Sequence, residues 1–203
     1  NLDLYGPRFY VVRHSESGLP HCVHRWTGKP VLNAGDGQNE HPTQALTDAM
    51  SLWVAGKGRK LNIAFFGDVY RSRVARSTLR LLQILGHKVV VTDDGSFETR
   101  LFAQAFGISS VARSQLKKMD AVICLRFQKE RGTLANMDPL GIQDLGSKTF
   151  LLHPGPVIVG EDLTYDLLEE RKQRNLILSQ AENAFKIRRA LLAELLERGD
   201  SKK

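Results

Sequence analysis

A histidine and a glutamine three residues apart open a helix directly after a glycine-rich turn. The turn spans residues 33–37 (Asn-Ala-Gly-Asp-Gly), and the helix begins near His41, Pro42 and Gln44. Pro42 suits the first helical position, where its missing N–H would be unpaired anyway, and residues three apart share a helix face. Because helix N-termini favour anions, the pattern predicts a site for a small substrate with a phosphate and a polarisable carbonyl. Taken alone, such a pattern more often marks an ordinary capped helix with solvent-facing polar residues.

Three arginines follow an apolar segment further along the chain. Residues 61–66 predict a buried parallel strand, and residues 72–85, closed by Gly86, predict a helix. Arg71, Arg73 and Arg76 lie close to the carboxyl end of the strand, around the start of the helix, where α/β proteins bind ligands. Guanidinium groups bind carboxylates in pairs of hydrogen bonds, which favours an acidic substrate. A basic, solvated helix start remains open, and cations there require an anionic group nearby.

Two more strands run out into polar residues. Arg126 and Gln128 follow the strand at 121–125, and their spacing places them on one side of an extended chain. The strand at 149–152 leads into residues 153–156 (His-Pro-Gly-Pro), whose prolines leave carbonyl oxygens free to accept hydrogen bonds from an amine. His153 itself is interpreted as a structural turn residue.

In series, these four segments resemble aspartate carbamoyltransferases over residues 11 to about 192. Each motif alone is weakly specific, and the four in order are strongly so. The related ornithine enzymes share the His-Pro-x-Gln helix, but typically carry His-Cys-Leu-Pro where this chain has His-Pro-Gly-Pro and lack the Leu-Arg-x-Gln strand end. The aspartate branch is therefore favoured.

The resemblance implies a role for each matching position. For carbamoyl phosphate, it implies contacts from Arg13, His41, Gln44, Gly155 and Pro156, with Arg13 and His41 acting on the carbonyl oxygen and therefore catalytic. For aspartate, it implies Arg73, Arg126 and Gln128. The implied reaction is attack of the aspartate amine on the carbamoyl carbon with loss of phosphate, in pyrimidine (UMP) biosynthesis. It needs positioning and oxyanion stabilisation rather than a protein nucleophile, a metal or a cofactor.

The chain also departs from the family pattern. The family is expected to have a Ser-Thr-Arg-Thr phosphate loop, which does not occur in this sequence. A neighbouring subunit of the family normally lends a serine and a lysine from a loop that is expected upstream of residue 1. The segment between Arg131 and Leu151 is also short. Three explanations of these departures remain open. The sequence omits segments of the chain or is a fragment of it, or the protein is a shortened non-catalytic paralogue that acts as an assembly or scaffold subunit. The intact set of ligand positions favours the first two. The resemblance further implies a homotrimer with shared active sites, with a regulatory or dihydroorotase partner open.

Composition excludes several classes of protein. No apolar run among the 203 residues approaches the roughly 20 that a membrane helix needs. The net charge of +7 permits nucleic-acid binding, but the basic residues are mostly scattered and two anionic substrates explain them better. Cys22 and Cys124 give no disulfide framework, which favours the cytoplasm. The segment 21–24 (His-Cys-Val-His) makes a poor zinc site, so no metal is predicted.

The alternation of apolar strands and helices predicts an α/β fold with a parallel sheet flanked by helices. We expect residues 1–56 to form the last part of a carbamoyl-phosphate-binding domain, with strands at 9–12 and 30–33. Residues 57–180 are expected to form an aspartate-binding domain. Helical spacing of apolar residues between 179 and 198 predicts an amphipathic helix, and the resemblance implies that residues 181–203 pack back on the first domain.

Overall fold

The computed structural model describes residues 2–127, 137–170 and 174–200, and it contains two parallel sheets. The strands are β1 (Tyr10–His14), β2 (Val31–Asp36), β3 (Asn62–Phe66), β4 (Lys88–Thr92), β5 (Ser109–Val111), β6 (Ala121–Cys124) and β7 (Phe150–Leu152). The α-helices are α1 (Leu19–Thr27), α2 (Pro42–Ala55), α3 (Arg73–Ile84), α4 (Phe97–Phe106), α5 (Tyr165–Glu170) and α6 (Ile177–Asp200). Short 3-10 helices occur at Leu2–Tyr5, Arg113–Lys118 and Ile142–Asp144.

The larger sheet has the order β5–β4–β3–β6–β7 and is buried on both faces. On one face, Ile63 and Phe65 of β3 pack in a cluster with residues of α2, α3 and α4. On the other face, Ala64 and Phe66 pack with residues that include Leu167 of α5. Strands covered on both faces read as continuous apolar runs, which is the pattern that the sequence shows. The predicted parallel sheet flanked by helices is thereby confirmed.

The smaller sheet pairs β1 with β2, and α2 leads from it to the larger sheet. Helix α6 lies against α2 through two buried hydrogen bonds. The Gln180 amide donates to Asp48 at 2.8 Å, and the Asn183 amide donates to Ser51 at 3.0 Å. The first and last thirds of the chain therefore meet along one helix pair. Among the described helices, none combines the length and the apolar character that crossing a bilayer requires.

Several of the described elements were not predicted from the sequence, among them helix α1, strand β5 and the short 3-10 helices. Helix α1 contains the segment 21–24 and is enclosed by Gly18 and Gly28, both in the left-handed conformation. Strand β5 has three residues at the sheet edge, and α5 has six. The predicted strands in the first part begin one residue later than expected, and β2 continues to Asp36.

Candidate active site

A cavity of about 330 Å³ lies where the ends of β1, β3, β6 and β7 meet the first turns of α2 and α3. It gathers segments that are far apart in the sequence. Its lining residues are Arg13, His41, Gln44, Ser72, Arg73, Val74, Leu125, Arg126, Pro154, Gly155, Pro156 and Arg188. Seven of the eight site residues predicted from the sequence are in this set. The eighth, Gln128, lies outside the described residues.

The glycine-rich turn brings β2 close to an arginine of α3. Gly35 has a φ of +115°, and a Cβ added there would lie 2.9 Å from the guanidinium carbon of Arg73. Glycine is required on both counts, because other residues rarely adopt this conformation and a side chain would displace Arg73. The carboxylate of the buried Asp36 ties the turn together, accepting from the Gly18 N–H at 2.6 Å and from Asn33 at 2.8 Å.

His41 precedes the first residue of α2 and is 8% exposed. Burial, together with the positive charges of Arg73, Arg13 and Arg188, lowers the pKa of His41 to about 4. The imidazole is therefore neutral near pH 7 and has one N–H to donate. The Thr43 hydroxyl lies 3.2 Å from its Nδ1.

The three arginines around the start of α3 have separate environments. Arg73 lines the cavity, with its Nη1 3.5 Å from the Gly37 carbonyl oxygen. Arg71 approaches the carboxylates of Asp68 and Glu98, each at 3.7 Å. Arg76 lies over the rings of Tyr70 and Phe102. Of the three, Arg73 is therefore the one positioned for a ligand, while the acidic residues near Arg71 supply the predicted compensation.

Two further arginines reach the cavity from the strand ends. Arg13 of β1 lies 3.4 Å from the Ala34 carbonyl oxygen, and Arg126 follows β6. The close approach of β3 and β6 requires Gly67, because a Cβ there would lie 2.5 Å from the Leu125 carbonyl oxygen. Among the described lining residues, none is a carboxylate. The cavity is therefore suited to anions.

Buried polar groups hold the turn after β7 in place. The Gly155 N–H donates to Nδ1 of His153 at 2.9 Å, and Nε2 of His153 lies 3.4 Å from the Asp162 carboxylate. Asp162 also accepts from the N–H groups of Phe127 and Ile158. His153 is thus structural, as interpreted from the sequence, and Asp162 joins the turn to the chain that carries Arg126.

Sequence reasoning missed two parts of this arrangement. Arg188 enters the cavity from α6, and Asp48 lies behind Gln44 with no exposed surface. Arg188 sits on a helix with an ordinary amphipathic pattern, so only the packing of α6 on α2 singles it out. For Asp48, a carboxylate in the buried stripe of α2 is the available signal. Within the described residues, no cluster of three or more His, Cys, Asp or Glu is arranged to hold a metal.

Two family models match the chain. Residues 1–53 match "Aspartate/ornithine carbamoyltransferase, carbamoyl-P binding domain", and residues 59–195 match "Aspartate/ornithine carbamoyltransferase, Asp/Orn binding domain". Curated relatives include the aspartate carbamoyltransferase catalytic subunit of Solibacter usitatus, 36% identical over 96% of this chain and 69% of the relative. The subunit of Koribacter versatilis is 37% identical over 92% and 66%. The chain thus spans about two thirds of the length of these relatives.

Solved structures with a similar fold include aspartate transcarbamoylase from Trypanosoma cruzi. Its complex with carbamoyl aspartate and phosphate has a TM-score of 0.75 and 24% identity, covering 94% of this chain and 65% of that one. Its complex with N-(phosphonacetyl)-L-aspartic acid (PALA) has a TM-score of 0.75 and 23% identity, covering 94% and 66%. At these identities the structural similarity establishes the fold alone. The family models and the curated relatives establish the family. The chain belongs to the aspartate/ornithine carbamoyltransferase family.

Proposed function

We propose that this chain is the catalytic chain of an aspartate carbamoyltransferase, acting in pyrimidine (UMP) biosynthesis. It would transfer the carbamoyl group of carbamoyl phosphate to the amine of L-aspartate, giving N-carbamoyl-L-aspartate and phosphate. The observation that carries the proposal is the convergence of four arginines, a neutral histidine and a glutamine on one cavity. The curated relatives support the aspartate rather than the ornithine branch, since they are named for aspartate.

The carbamoyl phosphate subsite is assigned to the side nearest α2. Arg13 and His41 donate to the carbonyl oxygen of the substrate, and Gln44 holds the carbamoyl amide. The Thr43 hydroxyl lies 3.2 Å from Nδ1 of His41, and the tautomer with its proton on Nε2 is assigned, in which Nδ1 accepts from Thr43 and Nε2–H is the donor. Backbone groups of Gly155 and Pro156 complete the contacts to the carbamoyl group. The N-terminus of α2 adds a favourable field for the phosphate.

The aspartate subsite is assigned to Arg73 and Arg126, one for each carboxylate. Both guanidinium groups line the cavity, and two-point binding of a carboxylate fits their geometry. Gln128 is assigned to orienting the incoming amine by the resemblance alone, since it lies outside the described residues.

The reaction follows from holding two anions together. The aspartate nitrogen attacks the carbamoyl carbon, a C–N bond forms, and the negative charge moves to the carbonyl oxygen. Arg13 and neutral His41 stabilise this oxyanion by donating hydrogen bonds to it. The C–O bond to phosphate then breaks, and the leaving phosphate takes the amine proton. Positioning and charge stabilisation supply the rate enhancement.

We further propose the expected division of the chain into residues 1–56, 57–180 and 181–203. The family resemblance supports a homotrimer with shared active sites, with a regulatory or dihydroorotase partner as an additional possibility. A cytoplasmic location rests on the presence of two free cysteines, Cys22 and Cys124.

Turnover by the protein tests the proposal directly. Production of carbamoyl aspartate from carbamoyl phosphate and L-aspartate is measured, with the intact mass recorded on the same sample. We expect turnover that PALA inhibits competitively with carbamoyl phosphate. The absence of both turnover and PALA binding would contradict the proposal and leave the non-catalytic paralogue.

A further inference from the structure

One buried carboxylate lies directly behind the cavity and joins three elements that form its wall. Asp48 of α2 has no exposed surface. Its Oδ1 accepts hydrogen bonds from the side-chain amides of Gln44 and Gln180, both at 2.8 Å, and its Oδ2 accepts from the Thr78 hydroxyl at 3.1 Å. These donors come from α2, α6 and α3, so a single group is shared by three helices.

The contacts of Asp48 determine which way the Gln44 amide faces. An ionised carboxylate only accepts hydrogen bonds, so the NH₂ end of each neighbouring amide must point toward it. Gln180 has an independent constraint, since its Oε1 accepts from the backbone N–H of His153 at 2.9 Å. Both glutamines therefore present nitrogen to Asp48. For Gln44, which lines the cavity, the oxygen is left as the end available to a ligand.

We propose that Asp48 is a positioning residue that turns the oxygen of Gln44 toward the ligand and thereby makes the site select a carbamoyl NH₂ over a methyl group. The inference rests on the proposed function, because Gln44 is assigned there to the carbamoyl amide. An amide oxygen accepts from the carbamoyl N–H but gains nothing from a methyl group. A Gln44 turned the other way would present NH₂ to NH₂ and select against the substrate.

The same carboxylate also sets the opposite wall of the carbamoyl subsite. Gln180 connects Asp48 to the backbone of His153, the residue just before the 154–156 turn. Gln44 and the turn therefore share one anchor. The distance between the two walls is fixed through two hydrogen bonds of Asp48 and one of His153.

Asparagine is the variant that keeps this arrangement. In Asp48→Asn, Oδ1 can still accept from both glutamines, while the new NH₂ donates to the Thr78 oxygen. Leucine has a similar volume but accepts nothing, so Gln44 loses its constraint. Ser51→Ala is the matched control, because it removes another α2–α6 hydrogen bond, from Asn183, without touching Asp48 or Gln44.

The test compares carbamoyl phosphate with acetyl phosphate, which has a methyl group in place of the NH₂. Affinities are measured by displacement of PALA from the unmodified chain and from the three variants. We expect the unmodified chain to prefer carbamoyl phosphate by about tenfold, as one hydrogen bond provides. Asp48→Asn and Ser51→Ala should keep this ratio, and Asp48→Leu should bring it close to one. A merely structural role of Asp48 would weaken the binding of both ligands together and leave the ratio of the two affinities unchanged.

The possible results separate the two proposals. If the unmodified chain binds PALA but prefers neither phosphate, or if Asp48→Leu keeps the preference, the positioning role is wrong and the proposed function stands. If the unmodified chain binds none of the three compounds, the proposed function fails and the inference fails with it. Should Asp48→Leu not fold, hydrogen exchange of side-chain amides in the unmodified chain decides. Gln44 must then exchange at least as slowly as Asn183, an equally buried amide that donates to Ser51, and clearly faster exchange of Gln44 overturns the positioning role.

Discussion

Arginines that line the cavity and an arginine outside it have opposite environments. Arg113 donates to both oxygens of the Asp144 carboxylate, at 2.9 and 2.6 Å, and to the carbonyl oxygens of Asp138 and Pro139. Its guanidinium also lies over the Phe66 ring. In the cavity, Arg13 lies 3.4 Å from the Ala34 carbonyl oxygen, and no described lining residue supplies a carboxylate.

This difference separates stabilising from binding arginines on physical grounds. The charge of Arg113 is neutralised by the fold itself, which raises its pKa mainly through the hydrogen bond with Asp144. The cavity gathers like charges, which repel one another and destabilise the folded chain until an anion arrives. Removing a cavity arginine should therefore reduce binding, and removing Arg113 should reduce stability.

Arg126→Ala should show the largest effect, on binding. We expect the affinity for PALA to fall by about 100- to 1000-fold, because truncating one member of a desolvated charge pair costs on the order of 3–4 kcal/mol. Titration calorimetry provides the measurement. Unfolding by urea should be nearly unchanged, since the lost charge was among like charges.

Arg80→Ala is the control for this change. Arg80 is an exposed arginine of α3 that lies over the Phe106 ring and does not line the cavity. It should keep the affinity for PALA within about twofold, as isolated surface charges do. Equal losses in the two variants would mean that overall positive charge, rather than the cavity, attracts the ligand.

Arg113→Ala should show the next largest effect, and on stability. The free energy of unfolding should fall by about 2–3 kcal/mol, because the buried Asp144 is left without its partner. Burial tends to raise the pKa of Asp144, but hydrogen bonds from Arg113 and Gly141 outweigh it and hold the pKa below its usual value. The loss of unfolding free energy in Arg113→Ala should therefore be fully present at neutral pH and shrink as the pH falls through the pKa of Asp144.

Urea unfolding at several pH values measures the effect of Arg113→Ala. The PALA affinity of the folded variant should remain within a few-fold of the unmodified chain. A large loss of affinity with unchanged stability would reverse the assignment of the two arginine types.

The contrast between these arginines also shows how far the sequence can be read. Both Arg113 and Arg126 sit near strand ends, and nothing in their immediate neighbours tells them apart. Arg73 and Arg126 were first considered because they follow predicted strands, and the family resemblance then assigned a role to them and to Arg13. The partner that makes Arg113 structural is 31 residues away, and pairings at that distance depend on how the loops pack.

The strands of the fold were easier to predict than the long-range contacts between its helices. Apolar runs with turn residues at their ends located β3, β6 and β7, since strands buried on both faces have a strong signal. Helix α1 lacked such a signal, although Gly18 and Gly28 mark its ends. The hydrogen bonds of Gln180 and Asn183 to α2 span 132 residues. Local patterns carry no information about such contacts, so the network around Asp48 could not be predicted.

Two buried carboxylates extend the comparison to stability. Asp144 is paired with an arginine, whereas Asp48 is held by neutral donors only. Burial raises the pKa of Asp48 to about 6, in spite of the hydrogen bonds from Gln44, Gln180 and Thr78. Keeping this carboxylate ionised near neutral pH therefore costs folding free energy, in contrast to the Asp144 carboxylate.

Asp48→Asn should consequently stabilise the chain. The unfolded chain loses the Asp48 proton near pH 3.8 and the folded chain near pH 6, so the unmodified protein loses stability as the pH rises through this window. Asparagine has no proton to lose in this range, so Asp48→Asn does not lose this stability as the pH rises. We expect a gain of about 2 kcal/mol at about pH 8 that disappears near pH 4. Urea unfolding at both pH values measures it, and a destabilised variant at high pH would mean that the charge itself is needed.

The smallest expected effect is a shift of the His41 pKa. The size of this shift compares the influence of the arginines around the cavity. His41 should titrate near pH 4 in the unmodified chain, well below its ordinary value of 6.5, first because it is buried and then because Arg73, Arg13 and Arg188 repel its proton. Arg73→Gln should raise this pKa more than Arg188→Gln does, since Arg73 has the larger influence. Both shifts should be modest, because burial remains. NMR titration of the imidazole carbons in the ligand-free chain measures all three values. If His41 titrates at its ordinary value in the unmodified chain, it is protonated in part at neutral pH, and the assignment of a neutral donor beside four cations is wrong.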